Sequence, residues 1–500
     1  MIEELKPLVK RIVEAGYQLS EDGLEYLKTI ESSQLNDLVD SVIRRSNFSS
    51  GDQLIFDSNI LRSIFEERSA KVDLKQSLTG KQRGRPLAAE YDADLKLLSD
   101  EKGESRGSIT GFVEYFRSRY RKIEGLLRER MDVKDANTIS QALKSPLKSK
   151  SKVIGMVTRK TLRGDRLFIE LEDTESSMTL MASGDEAMSK GQILLDDQIV
   201  CAYVTKFSQD LFIVNDLIWP DVPSRNPRRS EEPLCAAFLA DVHVGSKLFM
   251  KDAFERFIRW MNIEAGPLES RKLASRVKYI IVDGDLVDGI GIYPEQQREL
   301  EILDIFQQYA SAAVLLSKLP DYVEIIVTPG NHDAIRKSLP QPSITKEYAE
   351  PLYQDDRIHM FGNPCRLLLN NVEALVYHGK SLDDVLSQTP GLDFQQPIKG
   401  MELLLRCRHL APIYGSSTPL APEKEDRMVI TSIPDVLQMG HIHVYDSKRY
   451  KGVTMISSAP WQEQTSYQKR MNLIPTPGIA PIFDLQTHQL IKLDSSRLMG

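Results

Sequence analysis

The chain has 500 residues, a formal net charge of −7 and 27% charged residues. Single cores rarely grow past roughly 250–300 residues, so this length calls for more than one domain. The acidic balance excludes a protein that holds nucleic acid by bulk charge, and no apolar run nears the ~20 residues that cross a bilayer.

The four cysteines, Cys201, Cys235, Cys365 and Cys407, are scattered and form no CxxC pair. That pattern excludes a zinc ribbon or a disulfide framework and fits free thiols in a reducing compartment. The N-terminus lacks the apolar core of a signal peptide, so the expected location is cytoplasmic, with no membrane partner.

Residues 1–68 read as a small helical unit, whose apolar stripes fit a partner-binding unit or a miniature core of its own. Leu5, Leu8, Val9, Ile12 and Val13 keep helical spacing up to Gly16, and Leu35, Leu38, Val39, Val42 and Ile43 repeat it. Residues 69–110 are polar, charged and glycine-containing, the composition of a flexible linker. The tetrapeptide Arg83-Gly84-Arg85-Pro86 there is weak as a minor-groove signal, because such runs arise by chance in basic linkers.

A helix returns from Gly111 to about Met131, with Phe112, Tyr115, Phe116, Tyr120, Ile123 and Leu127 on one side. After Ser149 the period changes to two. Candidate strands are Val153–Leu162, Arg166–Asp173, Ser177–Ala182, Ile199–Phe207 and Leu211–Ile218, with a short helix near Glu186–Ser189 after the third. Five strands with a helix in that place resemble an OB-fold barrel, here spanning 111–225 with its leading helix. Phe168, Tyr203, Phe207 and Phe212 are candidate stacking platforms for single strands. Charges of both signs are mixed through the segment, which points to docking rather than direct DNA binding. Asp221 to Pro233, rich in Pro, Arg and Ser, marks a boundary.

From 232 to 500 short apolar strands alternate with helices, the pattern of an α/β layered domain. Strand-like runs are Leu234–Ala240, Val277–Val282, Val323–Val327, Ala374–Tyr377 and Val436–Met439; helices fit Ala253–Ala265 and Leu300–Lys318. At the ends of these strands lie Asp241-Val242-His243, Gly284-Asp285, Gly330-Asn331-His332-Asp333, His378-Gly379 and Gly440-His441-Ile442-His443. Strand ends are where ligand sites collect in α/β sheets.

The blocks supply ligands for two divalent ions, a pair that clamps a phosphate ester for in-line attack. Asp241 and His243 straddle one residue and can reach the same ion. Asp285 is the candidate bridge, since a carboxylate can give one oxygen to each ion. Asn331 offers a carbonyl oxygen, and His378, His441 and His443 offer imidazole nitrogens. This mixture suits Mn first, then Fe or Zn, over Mg. His332 would overhang the ions and either bond a phosphate oxygen or protonate the leaving oxygen. Asp333 is the expected outer carboxylate that orients its ring. Asp283 and Asp288 flank the Gly-Asp block and are left outside the ligand set. A lone DxH or HxH means little, but five of the eight histidines fall in these blocks.

The order DxH, GD, GNHD, H, GHxH resembles the calcineurin-like metallophosphoesterase superfamily. The surrounding words Ala240-Asp-Val-His-Val-Gly-Ser246, Tyr377-His-Gly-Lys-Ser-Leu-Asp-Asp384, Arg408-His-Leu-Ala-Pro-Ile-Tyr-Gly415, Thr418-Pro-Leu-Ala-Pro-Glu423 and Pro475-Thr-Pro-Gly478 are similar to the small subunit of archaeal D-family DNA polymerase. The resemblance covers residues 111–500. It implies a 3′→5′ proofreading exonuclease that acts on a DNA 3′ end beside a large catalytic polymerase subunit. By motif position it assigns Asp241, His243, Asp285 and His443 to one metal and Asp285, Asn331, His378 and His441 to the other. His332 is then the catalytic histidine. Arg336 to Pro342 departs from the family, which often has an acidic residue before Pro-Gln-Pro. Asp484–Gly500 lacks the aromatic pair of a sliding-clamp peptide. Rival readings are a phosphatase or cyclic phosphodiesterase with the same metals, and a non-catalytic assembly subunit.

Overall fold

The computed structural model describes residues 9–12, 18–30, 55, 56, 58, 61, 85–99 and 107–498. The chain divides into two compact units between Arg85 and Pro86. In the first unit Glu21–Lys28 is helical, capped by Ser20, whose hydroxyl accepts from the Gly23 amide at 3.2 Å. Strands β1 (Gln18–Leu19) and β2 (Ile55–Phe56) pair in parallel, and Ile12, Leu27 and Leu61 are buried. Residues 9–12 of the first expected helix are helical. The second, Leu35 to Ile43, lies outside the described residues, as do Arg83 and Gly84.

The second unit begins inside the segment read as linker, and there the sequence expectation fails. Leu87–Glu90 forms a 3₁₀ turn held by the Ala88 amide, which donates to the Ser275 carbonyl at 2.7 Å. Strand β3 (Leu95–Ser99) then pairs antiparallel with Cys365–Leu369, setting Leu95 opposite Leu369 and Leu97 opposite Leu367. The composition hid it because an edge strand is short, half-solvated and tolerant of charge such as Lys96.

The expected helix runs Ile109–Arg128 under a Ser108 cap. Phe112 and Phe116 pack on Tyr414, with ring centroids 5.3 and 5.2 Å away. Deeper on the same side Arg119 is fully buried, with Nε 2.7 Å from Asp426 and Nη1 donating to the Pro412 carbonyl at 2.6 Å. His409 completes the cluster, Nε2 lying 2.9 Å from the same Asp426 oxygen. Its Nδ1 accepts from the Ala411 amide, so the ring is neutral with its proton on Nε2. A short helix, Ile139–Lys144, was not anticipated; its Thr138/Gln141 capping box is legible afterwards.

Five strands follow: β4 (Lys150–Arg163), β5 (Arg166–Glu172), β6 (Ser177–Ala182), β7 (Ile199–Lys206) and β8 (Leu211–Ile218). They close into a barrel of order β4-β5-β6-β8-β7, with β6 and β8 parallel and the helix Asp185–Gln192 between β6 and β7. Alternation explains the closure, since Leu167, Ile169 and Leu171 all point inward. Phe212 is also in that interior, so it cannot serve as a stacking platform. Phe207 is 60% exposed, and Arg163 and Lys152 lie over Phe168 and Tyr203.

The rest is a sandwich of two six-stranded sheets. Its strands are β9 (Cys235–Ala240), β10 (Val277–Asp283), β11 (Glu324–Thr328), β12 (Ile358–Met360), β13 (Cys365–Leu369), β14 (Val372–Val376), β15 (Val436–Met439), β16 (Asp446–Tyr450), β17 (Val453–Ser457), β18 (Ile479–Asp484) and β19 (Leu490–Asp494). One sheet runs β12-β11-β10-β9-β18-β19 and the other β16-β17-β15-β14-β13-β3. The five strands expected from sequence are all present, at the centres of these sheets. Of the others, β12, β13, β16 and β19 are short, peripheral or amphipathic, while β17 and β18 are buried throughout but have apolar runs interrupted by Thr454 and Pro481. In β10, Tyr279 and Ile281 face the opposite sheet while Ile280 and Val282 face the helices Lys251–Met261 and Ile305–Ser317. A strand covered on both faces reads as an unbroken apolar run, which is why these were found. The second sheet's outer face shares one core with the helices Leu382–Gln388 and Pro397–Cys407 and with the barrel. Among the described residues no helix is long and apolar enough to cross a membrane.

Candidate metal centre

Strands β9, β10 and β11 of one sheet and β14 and β15 of the other end on the same side, and each block leaves from one of those ends. The chain must turn at once to aim its polar groups inward. Asp241, His243, Asp285, His441 and His443 all have positive φ, from 48° to 68°. That left-handed backbone is costly for residues with a Cβ and is found where surrounding structure enforces it, often at functional sites. Two glycines make the approach possible. Gly284, at φ +73°, leaves no room for a Cβ against the His378 ring. Gly440 is not left-handed; a Cβ there would sit 2.6 Å from the Asp241 carboxylate.

Seven sequence-predicted residues come together in two adjoining groups. Asp241, His243 and His443 form one, and Asp285, His378 and His441 the other, each with donor atoms mutually within 4.8 Å. The seventh is Asn331, whose side-chain oxygen lies 3.1 Å from His378 Nε2. Asp285 sits between the groups, its Oδ2 3.3 Å from His378 Nε2 and 3.8 Å from His243 Nε2. His243 Nε2 and His443 Nε2 face each other at 3.2 Å.

Five carboxylates, Asp241, Asp283, Asp285, Asp288 and Asp333, are buried around this point. Among the described residues the ion-pair partners of Asp241 and Asp285 are histidines. Burial acts to raise both carboxyls, but neighbouring imidazoles outweigh it, His443 for Asp241 and His378 for Asp285, and both are lowered. Reciprocally, burial depresses His378 while Asp285 and Asp241 overcome it and push the ring up to about 10. Burial lifts Asp283 to about 8. Buried anions at this density need positive charge beside them. Protons on the imidazoles or divalent cations can supply it, and the converging oxygens and imidazole nitrogens, with thiolate absent from the set, fit the second.

His332 overhangs the pair from one side. Its Nδ1 donates to the Asp288 carbonyl at 2.8 Å, and its Nε2 lies 4.0 Å from Asp285 Oδ2. Burial holds the ring down at about 4, so it is neutral near pH 7 with Nε2 free to face a ligand. The expected role of Asp333 is corrected here. Its carboxylate turns away from the His332 ring, accepting from the Tyr309 hydroxyl at 3.0 Å and the Gly330 amide at 2.8 Å. It fixes the shape of the loop instead, because a buried loop N–H needs an acceptor.

Three partners were missed. Asp288, set aside above, takes His243 Nδ1 at 3.0 Å and is held by Gln462 and Gln296. Asp383 lies 3.0 Å from His441 Nε2, and the Gln468 amide nitrogen 2.8 Å from His443 Nδ1. Asp288 had a signal, three residues beyond Asp285. Asp383 lies in the first turn of the helix Leu382–Gln388, where an acidic residue already has an ordinary reading. Gln468 had none. Arg336, the departure from the family pattern, bonds Glu423 at 2.7 Å and the Pro340 carbonyl, bracing the rim.

Residues 236–446 match the B-subunit family of DNA polymerases alpha and epsilon. The DNA polymerase II small subunit of Archaeoglobus fulgidus is 37% identical over 482 residues, 95% of each chain. That of Methanothermobacter thermautotrophicus is 39% identical over 412 residues, 81% of this chain and 84% of its own. The solved structure of a novel archaeal phosphodiesterase aligns with 52% of this chain and 99% of its own, at 13% identity and a TM-score of 0.27, too low to bear on the fold. With identity above a third along nearly the whole length, the chain belongs to the DNA polymerase II small-subunit family, that of the archaeal D-family polymerase.

Proposed function

We infer that this small subunit is a metal-dependent 3′→5′ exonuclease, which trims DNA 3′ ends for a large catalytic polymerase subunit. The observation that carries the reading is the convergence of two ligand groups on Asp285 beside a neutral histidine. Asp241, His243, Asp285 and His443 would hold one divalent ion, and Asp285, Asn331, His378 and His441 the other, with Mn preferred over Fe or Zn. When bound, such a pair supplies the Lewis acidity that phosphodiester hydrolysis needs. The chain's own residues do the rest. Asp288 and Asp383 orient the rings of His243 and His441. His332 presents Nε2 to the phosphate; with Nδ1–H held by the Asp288 carbonyl, it would first take up a proton on Nε2 beside the phosphate anion, and then bond a phosphoryl oxygen or give that proton to the leaving oxygen. The barrel has the strand order and helix position of an OB-fold, and its topology supports that assignment. With its core continuous with the catalytic sandwich, it serves as a docking element for the large subunit.

The test is digestion of 3′-labelled single strands with Mn²⁺. Asn331→Ala and His441→Ala should abolish it while circular dichroism stays unchanged. Normal digestion by either variant would refute the site. Faster hydrolysis of a nitrophenyl phosphate monoester than of DNA would replace the reading with a phosphatase.

A further inference from the structure

A cavity of about 550 Å³ opens beside the metal centre, and His332 forms part of its wall. Ile290, Ile292, Ile305, Ala334, Ile335 and Tyr348 form the apolar part of the wall. Ile290 is 39% exposed there, although its neighbours at the metal centre are charged. Tyr348 stacks on Phe306, centroids 5.5 Å apart and planes at 24°, and Phe306 is itself 49% exposed. These are preformed flat and aliphatic surfaces left in contact with solvent. Of the polar groups on the wall, Thr345 and Glu347 are exposed to solvent, and the others are engaged within the protein. Asp333 is bonded to Tyr309 and Gly330, and Arg336 to Glu423 and the Pro340 carbonyl.

We propose that this cavity receives the unpaired 3′-terminal base of the strand being trimmed. The inference rests on the phosphodiesterase reading above and names its substrate more closely. A strand whose last phosphodiester lies under His332 must send its terminal nucleoside somewhere, and the cavity begins at that residue. Its volume lies within the roughly 300–1,000 Å³ of ordinary small-ligand pockets. Apolar walls and one aromatic ledge accept any base by stacking and burial, without reading its edge. Lys337 stands on the same wall, its ammonium donating to the Asn331 carbonyl oxygen, and brings positive charge to the backbone side. A terminal base still paired to the template cannot leave its partner to enter. The cavity therefore favours frayed or mismatched ends by shape, without inspecting the mismatch.

The experiment compares three single strands as substrates of the Mn²⁺-loaded full chain: one natural, one with a terminal tetrahydrofuran residue, one with that residue penultimate. Removing the terminal base should lower kcat/KM by about 10-fold or more, the scale of one base stack. Removing the penultimate base should have little effect. In Tyr348→Ala and Ile290→Ser the ratio of natural to terminal-abasic rates should collapse toward one. A second readout needs no hydrolysis. With EDTA present, a strand ending in 2-aminopurine should change its emission on binding, and Tyr348→Ala should suppress that change. Equal rates on natural and terminal-abasic strands, or sensitivity only at the penultimate base, would overturn the proposal. If the loaded protein cleaves neither DNA nor bis-nitrophenyl phosphate, the metal-centre reading fails instead. The 2-aminopurine response then decides base binding by itself.

Discussion

Replacing Arg119 by Met removes the cation of a fully buried cluster. Arg119 and Asp426 are both 0% exposed, 2.7 Å apart, and the guanidinium also bonds the Pro412 carbonyl. At an effective dielectric of ~20 and ~4 Å between charge centres, the lost attraction is about 4 kcal/mol. Removing one partner of a buried pair costs about 3–5 kcal/mol in total, because the other charge stays without compensation. Asp426 would keep His409 Nε2 and the Met428 amide, both at 2.9 Å. The expectation is therefore a loss of about 3–5 kcal/mol in urea unfolding near pH 7.5, followed by tryptophan fluorescence. Arg119→Met with Asp426→Leu should lose much less than the sum of the single variants.

The same cluster fixes a pH dependence. Burial, the largest influence, holds His409 down at about 4, despite the Asp426 carboxylate beside it. An unfolded histidine titrates near 6.5, so between these values the unfolded chain binds the extra proton. Wild-type stability is then fully present above about pH 6.5 and falls as pH drops toward 4. Without Arg119 the imidazolium would be welcome next to Asp426, and the folded value would rise. The cost of Arg119→Met should shrink as the pH falls from about 7.5 to about 5.5. A cost under about 1 kcal/mol at the higher pH, or one that grows with acidification, would refute the argument.

Asp288→Asn should weaken Mn²⁺ activation by about 10–100-fold, read as the metal concentration for half-maximal activity, because it loosens the His243 ring. Gly440→Ala should cost about 1–3 kcal/mol and displace Asp241, since the new methyl meets its carboxylate at 2.6 Å and the Ala240 Cβ at 2.7 Å. A chain beginning at Pro86 should unfold at the temperature of the full second unit. One beginning after Ser99 should melt lower and aggregate, because it bares the β13 edge and the Ala88 contact.

The candidate ligands were legible in the sequence because chemistry narrows them. Asp, Asn and His at strand ends have few structural reasons to be there, and β9, β10 and β11, buried on both faces, announce those ends as apolar runs. The charged strand β3 and the capped helix Ile139–Lys144 carried weaker signals, the one masked by its charges and the other by its brevity. The Arg119–Asp426–His409 cluster was invisible, because residues about 300 positions apart contribute to it.

By itself the sequence determined the chemistry of this protein: which groups are acids, imidazoles and amides, in what order, and at which strand ends. Local periodicity and side-chain type are enough for that. Only the tertiary structure decided which neighbour holds each ring. It gave the His332 ring to the Asp288 carbonyl, turned Asp333 into the loop, and set Asp383 and Gln468 against His441 and His443. Hydrogen-bond partners are chosen by distances that close when two sheets pack. Those distances join residues whose separation along the chain carries no signal.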